Sequence, residues 1–207
     1  MASALIHIAI AKNLEKELDI EDKKDYYLGS IAPDISKQIG EPKSISHFSH
    51  NTRNDIPNID LFVKRYPTFK YNSFNLGYFI HLYTDKLWIE SIVDKIINEN
   101  HLKLLDGTVL TASKEEITEL IYSDYTNLNK DLIDLYELDL SLFYEDFKIP
   151  NTTLNEIPIE KLDILINKMS IIIENTKQEK TYAFDMEMAK EFIEDSTKKI
   201  LEEIKKY

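Results

Sequence analysis

The chain contains no cysteine in its 207 residues. That absence removes disulfides, thiolate zinc sites and thiol nucleophiles together, so any metal must be held by nitrogen and oxygen. Glycine and proline are scarce, at four and six. Little of the turn chemistry that many short strands require is therefore present, which predicts long helices. No stretch approaches the ~20 apolar residues of a membrane span. The opening run Ala4-Leu5-Ile6-His7-Ile8-Ala9-Ile10-Ala11 is short, lacks a preceding basic residue and is interrupted by a histidine, so it makes a poor signal peptide. A cytoplasmic protein is expected. Positive charge is also in short supply: 25 basic against 37 acidic residues give a net −12, with no long basic tract. Binding to duplex nucleic acid or to an anionic membrane surface is disfavoured, because both need a positive patch.

Apolar residues make up 43% of the chain, ordinary for a globular protein, and the length suits one domain with a substantial core. The expected class is all-α, a single-domain multi-helix bundle. Leu5, Ile8, Ala9, Ala11, Leu14 and Leu18 recur at helical spacing and predict an amphipathic helix over residues 4–18. A short helix is expected over 21–30, and another over 57–66 with proline in its first turn. A long helix starts near Asn72 or Ser73 and continues to about Asn100, which leaves His101 at its C-terminal end as a cation facing the helix dipole. Ser113-Lys114-Glu115-Glu116 is a capping box that opens a helix towards Leu138. A short helix over 140–147 and longer ones over 159–175 and 184–206 complete the chain.

The stretch Asn75-Leu76-Gly77-Tyr78-Phe79-Ile80-His81-Leu82-Tyr83-Thr84-Asp85-Lys86-Leu87-Trp88 sets His81 and Asp85 four apart, on one face of a helix that should turn inward. A buried, unpaired carboxylate costs several kcal/mol. Either an Asp–His hydrogen bond or a metal ion could compensate Asp85. Other groups of the same chemistry precede it. His7 lies among apolar neighbours in the first helix. Asp34 follows a break at Pro33, where it could cap a helix or point inward as a ligand. Gly29, just before, permits close approach of a neighbouring backbone. His47 and His50 sit three apart in the polar segment Ser46-His47-Phe48-Ser49-His50, and Asp124 lies between tyrosines on the helix after Ser113.

In order, His7-Ile8-Ala9, then Leu28-Gly29-Ser30-Ile31-Ala32-Pro33-Asp34, then Ser46-His47-Phe48, then Leu76 to Trp88 resemble the bacterial zinc-dependent phospholipase C family. The resemblance covers about Ser3 to Trp88 and implies a phospholipase C-like helical fold, shared with single-strand-specific zinc nucleases. It implies that His47, His81, Asp34 and Asp85 hold one ion and that Asp85 bridges to a second ion also bound by His7. His50 and Asp124 are the secondary candidates. The histidine pattern of a third ion is absent: Glu90 follows the helix motif closely, and His101 is followed four residues later by Leu105. The metal-site half is then about 1–100 and the C-terminal helices about 111–207.

Zn²⁺, as two ions, suits these imidazole and carboxylate ligands, and Fe, Mn or Ni would also be accepted. Two such ions can lower the pKa of a shared water and clamp a phosphoryl oxygen. The expected function is hydrolysis of phosphoric esters by a di-metal-activated water attacking phosphorus, with Asp34 or Asp85 accepting the proton. The expected substrate is a small phosphoester or a phospholipid headgroup. The competing reading is a catalytically silent metal-binding helical module that binds a ligand or protein partner.

Overall fold

A computed structural model describes residues 1–49, 56–177 and 179–207. Helix α1 (Ala4–Glu15) begins where the Ser3 hydroxyl accepts the Ile6 N–H. Every residue from Leu5 to Ala11 is buried, His7 included, so this helix is enclosed on all sides rather than amphipathic over that span. It packs against helices from both halves of the chain, which leaves it no solvent face there.

Helix α2 (Lys23–Gly29), capped by Asp22, leads through a 3₁₀ turn (Ala32–Asp34) into α3 (Ile35–Ile39), and α4 (Lys43–Ser46) carries the chain to His47. After α5 (Ile59–Arg65), which is capped by Asn58 and so leaves Pro57 ahead of the helix rather than in its first turn, comes α6 (Ser73–Trp88), capped by Asn72. The α2–α6 pairing is unusually close, and two glycines are the reason. A Cβ on Gly77 would lie 2.0 Å from the Tyr26 carbonyl oxygen, and one on Gly29 would lie 2.1 Å from that of Phe74.

The central helix ends earlier than its sequence suggests. A single π-helical stretch (Ile89–Val93) and α7 (Asp94–Ile96) follow α6, and then the chain enters a three-stranded antiparallel sheet of β1 (Ile97–Asn98), β2 (His101–Lys103) and β3 (Val109–Thr111). Two local features redirect it. Glu99 adopts φ 54°, and Asp106 accepts the Thr108 N–H and hydroxyl to close the second turn at Gly107. His101 is therefore an exposed strand residue paired with Asn98 and Thr111, not a helix terminus.

Ser113 and Glu116 form the expected reciprocal capping box at the start of α8 (Lys114–Tyr136). Residues 140–147 reach only a 3₁₀ turn at Ser141–Phe143. Helices α9 (Leu162–Glu174) and α10 (Met186–Ile204) follow as anticipated. The protein is thus mostly helical, with one small sheet among the described residues. Helix α1 lies against α10, α8 and α6. Trp88, at the end of α6, is enclosed by Tyr125 of α8 and by Phe184 and Phe192, with ring centroids 5.7, 4.8 and 4.9 Å away.

Gly77→Ala is expected to destabilise the protein by about 3 kcal/mol, because backbone, not a movable side chain, occupies the space its methyl needs. Urea unfolding measures this. An unchanged midpoint would mean that the helices separate without cost.

Candidate metal centre

Four segments deliver five side chains to one place. Helix α1 contributes His7, the 3₁₀ turn Asp34, the end of α4 His47, and α6 both His81 and Asp85. The His47 and His81 Nε2 atoms are 3.3 Å apart. Asp85 Oδ2 lies 3.5 Å from His47 Nε2 and 3.7 Å from His81 Nε2. Asp34 Oδ1 is 3.7 Å from His47 Nε2, and Asp85 Oδ1 is 3.3 Å from His7 Nε2. The His7 and His81 rings stack at 3.9 Å. Two overlapping triads result, His47–His81–Asp85 and His7–Asp34–His81.

Of these approaches the His47–His81 one has hydrogen-bond geometry, and the carboxylate contacts do not. His7 Nδ1 and Nε2, Asp34 Oδ1 and Asp85 Oδ2 are all buried without a hydrogen-bond partner among the described residues. A hydrogen-bonded Asp85–His81 pair is therefore not what compensates the carboxylate. Asp34, likewise, makes no side-chain cap bond to α3. Each orphaned buried polar atom costs roughly 1–3 kcal/mol, and concentrating them at one point is hard to sustain without a cation. A tetrahedral zinc with bonds of about 2.0–2.2 Å separates its ligand atoms by about 3.3–3.6 Å. The separations around His47, His81 and Asp85 match that spacing, and the nitrogen and oxygen donor set fits the ion.

The outward-facing sides of two imidazoles are fixed. His81 Nδ1 lies 2.8 Å from the Ser30 carbonyl oxygen, so it carries the proton and leaves Nε2 free as a donor of electrons. His47 Nδ1 is 2.8 Å from the Ser46 hydroxyl. Asp85 Oδ1 accepts the Ala2 N–H at 3.0 Å. Burial, reinforced by neighbouring His7, pushes His81 well below the ordinary 6.5 against the opposing pull of Asp85. Burial alone would raise Asp85, yet His47, His7 and His81 together hold it well below 3.8. Neutral imidazole beside ionised carboxylate is the state that binds a metal.

Asp124 does not join the cluster. It is buried, and its carboxylate accepts the N–H groups of Tyr182, Ala183 and Phe184 at 2.9, 2.8 and 3.0 Å, tying the chain before α10 to α8. His50 lies outside the described residues. The groups that orient the ligands, Ser30 and Ser46, were not singled out from the sequence. The Ser46-His47 dipeptide was the available signal for one of them.

Two cavities open beside the cluster. One, of about 570 Å³, reaches His47 and Asp85 and is walled by Ile89, Ile92, Ile117 and Ile121 among others. The second, of about 300 Å³, reaches Asp34. Met1, Tyr122 and Tyr125 border both. No helix among the described residues is long and apolar enough to cross a membrane.

The family model for zinc-dependent phospholipase C matches residues 6–88. The matched stretch contains all five clustered residues and ends on Trp88, which bears out the resemblance drawn from the motifs; the chain from residue 89 onward lies outside it. No curated protein and no solved structure matches the chain. The match and the buried histidine–aspartate cluster together support a metal-dependent, phospholipase-like function.

Ser46→Ala is expected to weaken zinc binding by roughly 10–100-fold in competition with a chelator, because His47 loses the group that orients it. His101→Ala, remote on its strand, should leave zinc content unchanged. A pH dependence follows from His81. Its folded pKa is depressed, so below about 6.5 the unfolded chain takes up a proton that the folded chain refuses. Stability of chelator-treated protein should then fall between about pH 7 and 5.5 in urea titrations, and fall less in His81→Gln. Asp85 acts in the same direction only further down, below its ordinary 3.8.

Proposed function

We propose that this chain is a metal-dependent phosphoesterase that hydrolyses phosphoric diesters, working with zinc held at the five-residue cluster. The observation that carries the reading is the meeting of His7 Nε2, Asp34 Oδ1 and Asp85 Oδ2, all buried and unpartnered among the described residues, with the Nε2 edges of His47 and His81, which face each other at 3.3 Å. His47, His81, Asp34 and Asp85 Oδ2 would hold one ion, while His7 and Asp85 Oδ1 face the other side of the same carboxylate as the start of a second position. Bound zinc supplies Lewis acidity, which activates water near neutral pH and offsets the charge that builds on phosphoryl oxygens.

The protein's own groups divide the remaining work. Asp85, with its side chain 1% exposed and both oxygens turned into the cluster, keeps three imidazoles in register and supplies the negative charge that offsets bound cations. Asp34, 16% exposed, reaches the solvent-connected cavity. It is the group placed to accept the proton of the attacking water, since a general base must reach both the water and bulk solvent to be regenerated. Ser30 and Ser46 hold the imidazole tautomers. Trp88, Ile89 and Ile92 line the approach and keep excess water from the phosphorus.

Zinc-loaded protein should hydrolyse a chromogenic phosphodiester, lose that activity to a chelator and regain it with added Zn²⁺. Asp34→Asn should lower kcat by ~10²–10⁴-fold, the usual worth of a general base. Full zinc loading with no turnover of either phosphodiesters or phosphomonoesters would assign the cluster to a binding module instead.

A further inference from the structure

The cavity at Asp34 takes its far walls from α8 and α9, outside the matched segment. Its aliphatic lining comes from α1 and α9 and from Ile31, with Leu5, Ile31 and Leu165 buried and Met169 and Ile173 half-buried, while α8 adds Tyr122, Tyr125, Thr126 and Asn129. Two exposed lysines sit at its opening, Lys37 on α3 and Lys168 on α9, brought together because those two helices pack against each other. Neither lysine is ion-paired with a carboxylate among the described residues. Lys37 lies instead 4.0 Å above the Tyr122 ring, with its ammonium 2.5 Å from that residue's hydroxyl. Asp34, which faces the cluster, is the single acidic residue in the lining among the described residues. The larger cavity, by contrast, mixes Lys43 and Lys114 with Asp94 and Glu99.

Two unneutralised cations on one aliphatic opening stand out in a chain of net charge −12. Apolar walls reward a hydrocarbon occupant, and a volume of about 300 Å³ is at the small end of ligand pockets and suits a slender one. The lysines select the sign of its polar end.

We propose that this cavity is a binding site for a single aliphatic chain ending in an anionic head, with the chain lodged between α1, α8 and α9 and the head at Lys37 and Lys168. The site does not depend on turnover at the metal cluster, although a chain seated there comes up against Asp34 and would compete with substrate.

The test uses the zinc-loaded full chain and isothermal titration below micelle-forming concentrations. Decanoate and decyl phosphate serve as the two anionic probes, and decyltrimethylammonium is the cationic control. Saturable binding of at least one anionic probe is expected, and the response to the two separates a carboxylate-headed from a phosphate-headed ligand. The cation should bind at least about tenfold more weakly, and Lys168→Glu should weaken the anion by about tenfold, the scale of one charged hydrogen bond. Met169→Trp, which fills the cavity without touching the cluster, should lose binding while zinc content stays constant. Equal affinity for the cationic control, or undiminished anion binding in Lys168→Glu, overturns the proposal. Lys168 is exposed, so that variant reports even if the filled one does not fold.

Discussion

The carboxylate of Asp85 is the constraint from which the rest of the structure can be argued. It is buried at the inner face of α6, held in its ionised form, and approached by three imidazoles that do not hydrogen-bond to its Oδ2. An ionised group so placed needs countercharge, and no lysine or arginine forms an ion pair with it among the described residues. The chain instead surrounds it with electron-pair donors, a donor set that fits a cation. Burying hydrophobic residues there would stabilise the fold more cheaply, so the cluster reads as a function imposed on the core.

That constraint also explains the close contact between α2 and α6. His81 can present Nε2 inward only if something holds Nδ1 from behind, and what holds it is the Ser30 carbonyl at 2.8 Å. Ser30 follows Gly29, and His81 lies one helical turn beyond Gly77. The two glycines whose missing side chains let α2 and α6 touch therefore bring the Ser30 carbonyl to the ring. Packing and ligand orientation at this place are one requirement.

Much of this was legible in the sequence, because it rests on local rules. Ser113 with Glu116 specified a helix start, the four-residue spacing of His81 and Asp85 specified a shared face, and Gly29 announced a close approach. The features that sequence reading missed depend on long-range partners. Residues 97–98 have no strand signal of their own and become a strand because His101–Lys103 folds back on them. Asp124, a secondary ligand candidate in the sequence, is instead spoken for by three N–H groups from a segment some sixty residues later. Only the folded chain brings that segment near. The amphipathic reading of α1 failed for a related reason: helices α8 and α10 cover the side that its pattern left open.

The C-terminal half gave no motif, yet it shapes the surroundings of the histidine–aspartate cluster. Tyr125 and Phe184 enclose Trp88, where the matched segment stops, and the Asp124 clasp fixes Phe184 in that position. Helix α8 then runs between the two cavities, offering Ile117 and Ile121 to one, Thr126 and Asn129 to the other, and Tyr122 and Tyr125 to both. The donors of the cluster thus come from residues 7–85, and much of the walls beside it from residues after 88. A division of that kind lets wall residues change without disturbing a single ligand atom. Pattern in the N-terminal half therefore speaks to the donor set, while the side chains that wall the cavities beside it carry no motif.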